Sequence, residues 1–400
     1  MSGFDEYKLG DLLTFQRGFD ITKSEQKEGE VPIVSSSGIS SFHNQPKSSA
    51  PGVVIGRKGS LGTVHYLKIN YWPHDTTLWV KDFKGNEPGF IYYFLQTLHL
   101  ENFDVGSSNP TLNRNHLHKI RVLFPKEQQK KIAAVLSAYD DLIDNNRRRI
   151  ELLERMAEEL YREWFVRFRF PGYQQVKFER TVPQGWEPQK LGDLCHLIKR
   201  GITPKYSDDS PRLVINQRCI RNGGVDLSAA RQHDTKAPAE KIIQHADALI
   251  NSTGVGTLGR VSIVEFEPDN LTCDTHVTIC RANPKKVNPY FLACTVARLQ
   301  QHFENLAVGS TGQTELGREE IAKVKILLPP EDLQTEFAKR ISSFWIIKTA
   351  LADTLRNLAE QRDQLLTRLI SGKLPVDQLD IQFPPSMREA DAARQEVAHA

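Results

Sequence analysis

The chain is 400 residues long, 39% hydrophobic and 25% charged, with a formal net charge of +3 at pH 7. This is the composition of a soluble globular protein, and the length is comfortable for two domains of ordinary size. The charge is too small to make the whole molecule a polycation, so any nucleic-acid role has to rest on local placement of charge.

The amino terminus, MSGFDEYKLGDL, carries acids and no apolar h-region, so no secretory signal is expected. No run approaches the roughly 20 apolar residues that a membrane helix needs, so no membrane role is expected. Residues 1–125 read as a mixed α/β domain. Short β-type runs such as VVIG, TTLWV and RVLF are bounded by Gly, Pro and Ser, and one helical block, FIYYFLQTL, precedes the last loop. Pro88 falls where a first-turn proline is tolerated.

Residues 126–169 differ in kind. Apolar residues recur in steps of three and four from Ile132 through Leu136, Tyr139, Ile143, Ile150, Leu153, Ala157 and Leu160 to Trp164, with Asn146 filling the one gap. Residues 170–184, rich in Pro and Gly, read as a linker. Residues 185–330 repeat the mixed pattern, with VTIC, KILL and the helical block NPYFLACTVARL opened by Pro289. Residues 331–373 carry a second ladder, Phe337, Ile341, Phe344, Leu351, Leu355, Leu358, Leu365 and Leu369. Lys348 and Arg362 stand in its gaps, where their stems are expected to snorkel. Residues 374–400 form a polar, Ala-rich tail with little fixed structure expected at its end.

A 3.5-residue period held over four or more heptads is the coiled-coil signature, and two seams of equal length predict that the helices pair with each other. A buried Asn146 would help fix the register. Each seam covers roughly 33 residues, or about 50 Å at 1.5 Å per residue. That length is compatible with two domains reading successive major-groove faces, about 34–36 Å apart, on one side of a duplex.

The two mixed domains are also copies of each other. KLGDL occurs at Lys8–Leu12 and at Lys190–Leu194. VVIGRKGSLGTVHYL answers ALINSTGVGTLGRVSIV, and Asp75-Thr76 answers Asp274-Thr275. EPGFIYYFLQTL answers NPYFLACTVARL, and VGSSNPTLNRNHLHKIRVLFP answers VGSTGQTELGREEIAKVKILLPP. The order holds at every step while the offset drifts from about 180 to just over 200, the pattern of a duplicated domain with insertions in the second copy. The stretch between KLGDL and the Gly-rich turn barely matches, with about 40 residues in copy one and about 53 in copy two. The expected fold class is therefore α+β, with two similar mixed α/β domains, two long helices pairing as an antiparallel coiled coil, and a pseudo-two-fold internal repeat.

These blocks, in this order, resemble the specificity subunit of a type I restriction–modification system over about 370 residues. The further marks are VPQGWEPQKLGDL at the second boundary, FPKEQQKKIAAVLSAYDDLIDNNRRRIELLERMAEELYREWF in the first helix and RDQLLTRLISGKLPV at the end of the second. The resemblance implies that the domains are target recognition domains on double-stranded DNA. It further implies that the helices set their spacing and dock two methyltransferase subunits, and that restriction/translocase subunits join through that methyltransferase core. Copy two has Gly312 where copy one has Asn109-Pro110, a departure from a strict repeat.

Catalytic chemistry is not legible. NPYF at Asn288–Phe291 lacks the second proline of an adenine methyltransferase motif and aligns with EPGF, so it reads as a helix start. No FxGxG loop accompanies it, and SGKL lacks the upstream glycine of a P-loop. The five cysteines, Cys195, Cys219, Cys273, Cys280 and Cys294, contain no CxxC pair, and Cys273, His276 and Cys280 fit no common zinc spacing. Ordinary buried thiols in a reducing, cytoplasmic compartment are expected, with no cofactor, no metal and no enzymatic activity of the chain alone.

DNA contact is expected at three places. The first is the Gly-rich turn with Arg57, Lys58 and Ser60, and its twin with Ser252, Thr253 and Thr257, where backbone N–H groups can approach phosphates. The second is the closing loop, with Ser107, Ser108, Asn109, Thr111, Asn113 and Arg114, and in copy two Ser310, Thr311, Gln313, Thr314 and Arg318. The third is the diverged segment, because two domains on one framework must differ where they read different bases. It supplies Lys199, Arg200, Lys205, Asn216, Gln217, Arg218, Arg221 and Asn222 in copy two. Copy one offers Arg17, Lys23, Lys27, His43, Asn44, Gln45 and Lys47. The alternatives are a coiled-coil scaffold without DNA specificity, and an orphan specificity subunit serving a methyltransferase only.

Overall fold

The computed structural model describes residues 4–103, 110–221, 223–308 and 315–388. The chain divides into two compact units, one formed by Met1–Arg147 with Thr354–Ala400 and the other by Arg148–Asp353.

In the first unit, strand Phe4–Lys8 pairs antiparallel with the closing strand Arg121–Pro125. Lys8 ends that strand, and Leu9–Leu12 follows as one helical turn whose leucines Leu9 and Leu12 are buried. Its first amides are satisfied from outside the turn: Leu9 N donates to Ile120 O and Gly10 N to His118 O. KLGDL is thus a strand stop and a core plug in five residues. The main sheet is antiparallel, in the order Thr14–Arg17, Thr77–Asp82, Gly52–Gly56, Val64–Leu67. The central strand, GVVIG, is apolar without alternation because both its faces are covered. Val53 and Ile55 face the core built on helix Pro88–Gln96, while Val54 packs with Val34, Leu67, Tyr71 and Trp79. A smaller sheet, Gly38–His43, Val31–Ser35, Trp72–Pro73, adds one parallel pairing, Ile33 opposite Trp72.

The second unit has the same topology. Glu187–Lys190 pairs with Lys325–Leu328, and Leu191 N donates to Val324 O. Its main sheet runs Cys195–Arg200, Val277–Ala282, Ala248–Asn251, Val261–Ile263. Its small sheet runs Arg231–Gln232, Leu213–Ile215, Thr272–Cys273, with the equivalent parallel pairing of Val214 and Thr272. Asn288 caps helix Pro289–Arg298 by accepting from Tyr290 N, so NPYF is a helix start.

The long helices are Gln129–Tyr161, continued by a π-helical turn Arg162–Val166, and Glu331–Ile370. Each is locked to the mixed domain that precedes it by one glutamine. Gln129 accepts from Glu87 N and donates to Pro125 O, both at 2.9 Å. Gln334 accepts from Asn288 N at 2.9 Å and donates to Pro329 O at 2.7 Å. Within the first unit the helices run antiparallel, since Ile132 and Leu136 share a core with Leu369 and Ile370 while Asp140 pairs with Arg362. Within the second, Tyr161 and Trp164 pack with Phe337 and Ile341 while Glu154 pairs with Lys348. Truncating Phe337, fully buried there, would remove about 3–5 kcal/mol. Asn146 is buried, as its place in the ladder requires.

Lys348 and Arg362 do not snorkel to solvent. Lys348 Nζ bridges Glu154 at 2.7 Å and Glu265 at 2.8 Å, and Arg362 Nη1 meets Asp140 at 2.8 Å. Carboxylates placed on neighbouring elements capture the charges before they reach water. The stretch 170–184 is likewise packed: Phe170 is buried in the second unit's core, Tyr173, Val176 and Val182 pack against it, and Phe178–Glu179 pairs with Val182–Pro183. Part of the tail is fixed too. Val376 is buried, and Lys131 Nζ donates to the carbonyls of Val376, Asp377 and Leu379. The five cysteines are free thiols, with Cys195 Sγ 3.4 Å from Cys280 Sγ.

Candidate nucleic-acid interface

In each unit one end of the main sheet collects the turns that the sequence singles out. The Gly-rich turn and the closing loop meet there. In the first unit Lys58 bridges Thr111 and Leu112 N donates to Arg57 O. In the second, Thr253 bridges Glu315 and Leu316 N donates to Ser252 O. The glycines fix the shape: Gly62 N returns to Gly56 O, and Gly259 N returns to Asn251 O. The second turn is two residues longer between these anchors (252–258 against 57–61).

The backbone also corrects the alignment of Asp75 with Asp274. His74 N donates to Val34 O and Asp274 N to Ile215 O, and the two residues bridge Phe19 and Ile202 respectively. His74, not Asp75, therefore occupies Asp274's place. His74 Nδ1 faces Thr76 N at 3.4 Å where Asp274 Oδ1 accepts from His276 N at 2.9 Å. The strands enter this turn beside Gly18 and Gly201. A Cβ on either would lie 2.0 Å from His74 O or 1.8 Å from Cys273 O, so only glycine fits. The shared pair Arg17-Gly18 and Arg200-Gly201 is the repeat signal that the diverged stretch retains.

Charge is organised around that turn. Arg17 Nη2 meets Asp75 Oδ2 at 2.8 Å. Burial works against the charged Asp75, but the Arg17 hydrogen bond and the charges of His74, Arg17 and Lys58 outweigh it and lower its pKa. Burial, with Arg17 nearby, also lowers the pKa of Arg57, whose Nη1 is buried with no hydrogen-bond partner among the described residues. Asp20, His74 and Asp75 bring ligand atoms within 4.8 Å of one another, but the Arg17 guanidinium already supplies the positive charge there.

Other predicted residues sort by exposure. Lys58, Ser60, Arg114, Lys205, Arg218 and Arg221 are exposed. Asn113 caps the turn Arg114–Leu117, and Arg318 opens helix Arg318–Lys323. Lys199 pairs with Glu240 at 3.0 Å, and Arg200 pairs with Glu315. Thr253 Oγ1 faces His276 Nδ1 at 2.6 Å, and Thr257 Oγ1 donates to Gly254 O. Three residues are corrected from contact to framework. Ser252 is fully buried with its hydroxyl against Thr278 Oγ1. Asn216 is buried, donating to Ala229 O and accepting from Arg218 N, and His43 is buried edge-on to Trp72. Ser107, Ser108, Asn109, Asn222, Ser310, Thr311, Gln313 and Thr314 lie outside the described residues.

The diverged segment is narrower than its sequence suggests, since both units keep the small sheet. Its two antiparallel strands are joined by Ser36 and Ser37 in the first unit and by residues 216–230 in the second. That insertion folds as a hairpin, Ile220–Arg221 against Gly224–Val225. Ser262 Oγ donates to Gly224 O and Ile263 N to Gly223 O, which ties the hairpin to the edge strand of the main sheet. Arg221 and Arg260 line a cavity of about 660 Å³ beside it.

The family model for the type I restriction modification DNA specificity domain matches residues 1–155 and again 183–361. The chain belongs to that family of specificity subunits, whose members recognise DNA and are not themselves catalytic. It is 26% identical over 310 residues to the type I restriction enzyme MjaIX specificity subunit of Methanocaldococcus jannaschii, covering 72% of this chain and 70% of that one. It is 24% identical over 323 residues to the HindI specificity subunit of Haemophilus influenzae, covering 62% and 68%. The crystal structure of a type I restriction-modification S subunit from M. genitalium shares the fold at a TM-score of 0.63 and 17% identity, over 92% of this chain and 96% of that one. Among the described residues no helix is long and apolar enough to cross a membrane.

Proposed function

We propose that the chain is the sequence-recognition subunit of a type I restriction–modification enzyme, reading an asymmetric, bipartite DNA target with one half-site per recognition domain. The carrying observation is that the two domains share the closing strand pair, the main sheet and the small sheet yet close the small sheet differently, by Ser36 and Ser37 in one and by residues 216–230 in the other. One framework with two unlike tips suits two unlike half-sites. The chain carries DNA specificity to partners that do the chemistry: two methyltransferase subunits docked on the long helices, and restriction/translocase subunits through that methyltransferase core. Contact is assigned to Arg57, Lys58, Ser60, Thr111, Asn113 and Arg114 in the first domain. In the second it is assigned to Lys205, Arg218, Arg221, Thr253 and Thr257.

The test is to co-express the full chain with a methyltransferase partner and map methylated positions across a genome. Two short conserved sequences at a fixed separation are expected. Arg221→Ala should relax one position of one half-site, losing about 1–3 kcal/mol of discrimination there. A continuous target, or no binding to any duplex, rejects the reading.

A further inference from the structure

Val255 is 96% exposed, the most exposed large apolar side chain in the protein among the described residues. An isopropyl group held in water forgoes its burial energy, and turn tips usually carry polar residues for that reason. Here the surroundings hold it out. Gly254 and Gly256 flank it at φ +109° and +74°, a backbone that other residues rarely adopt. A Cβ on Gly254 would lie 2.1 Å from Gln217 Oε1, so the turn rests against the inserted segment of this domain. Leu258 N returns to Gly254 O at 3.0 Å, and Arg260 Nη2 donates to Gly256 O at 2.9 Å. A braced loop thus projects one apolar group between the hydroxyls of Thr253 and Thr257 and beside the Arg260 guanidinium, on the end of the domain assigned to DNA. The shorter turn of the first domain has Lys58, Gly59 and Ser60 at its tip.

We propose that Val255 is a base-reading residue of the second domain, meeting the 5-methyl group of a thymine in the major groove. This rests on the proposed DNA-recognition role and adds a contact of a different chemistry from the hydrogen bonds of Arg218 or Arg221. The thymine methyl is the one apolar group that a base pair presents in that groove, and it separates T from C and from uracil.

The test uses the full chain with its methyltransferase partner and a duplex carrying the mapped target. Each thymine is replaced in turn by deoxyuridine, which removes only the methyl group. Wild type should lose about fourfold in affinity at one thymine, the effect of one buried methyl. Val255→Ala and Val255→Ser should bind the thymine duplex about that much more weakly and show no further loss with deoxyuridine there. Val255→Ile should keep the penalty, and all three variants should melt as wild type does. If the target is bound but every variant keeps the wild-type penalties, or wild type shows none, the thymine contact is wrong while DNA recognition stands. Equal weakening on all sequences would mean a wedge or backbone contact and overturns it as well. Loss of binding to every duplex by wild type removes both readings.

Discussion

Residues 36–37 and residues 216–230 occupy the same connection in the two units, and the contrast teaches where this architecture tolerates change. The sheets on either side match strand for strand, and each unit keeps the glycine, Gly18 or Gly201, that lets the chain pass a neighbouring carbonyl. The connection can lengthen at small entropic cost, because loop entropy grows slowly with length, and the insertion buries Cys219 and Ile220 in a core of its own unit. The strand crossing beneath it has no such freedom.

The largest expected effect breaks that equivalence if it comes out unequal. Gly18→Ala and Gly201→Ala each force a methyl into a carbonyl, so each should destabilise its own unit by about 3 kcal/mol in denaturant unfolding. A loss in one unit only would mean that the shared turn is not shared in energy.

Next come the polar ties between the helices, which the two units build differently. Lys348→Met leaves Glu154 and Glu265 facing an uncharged stem and should cost about 3 kcal/mol. Arg362→Met strands Asp140, which still accepts from the Tyr93 hydroxyl, and the exposed Asp363, and should cost about 1 kcal/mol. Burial pulls the Lys348 pKa down, but the charge of Glu265 and the bonds from Glu154 and Glu265 carry it above the ordinary lysine range. Its contribution is therefore fully present below about pH 10.4 and is lost as pH rises through the folded value, which wild-type unfolding at high pH should show.

The smallest effect sharpens the comparison at the paired turns. Asp75 has a lowered pKa, so the Arg17–Asp75 pair stabilises above about pH 3.9 and is lost as pH falls through the folded value. The pair is half open to solvent, and Asp75→Asn should remove about 0.5 kcal/mol at neutral pH and flatten that acid limb.

The repeat, the mixed domains and the paired ladders were legible because each depends on spacing that the chain carries locally. Asn146, KLGDL and the NPYF helix start follow from period, patterning and capping. The equivalence of His74 with Asp274 did not, because matching letters drew Asp75 onto Asp274 while strand register, set by distant backbone bonds, decides the place. Ser252 and Asn216 looked like surface donors because polarity was all that the sequence showed, and burial beneath a turn is a tertiary fact. The capture of Lys348 by Glu154 and Glu265, and of Arg362 by Asp140, is not legible because those carboxylates lie far along the chain. Val255 is not legible as a contact, because an apolar residue between glycines carries no sign of which way it points.

The core of the first unit is completed by Leu369, Ile370 and Val376, whereas Arg148–Asp353 is an unbroken stretch. On the ribosome the domain translated first must therefore wait, its apolar surface open, until almost the whole chain has emerged. The later domain has all its parts sooner after its own synthesis begins. Birth order and order of completion are thus reversed, and a chain stalled before residue 369 leaves the older half unfinished.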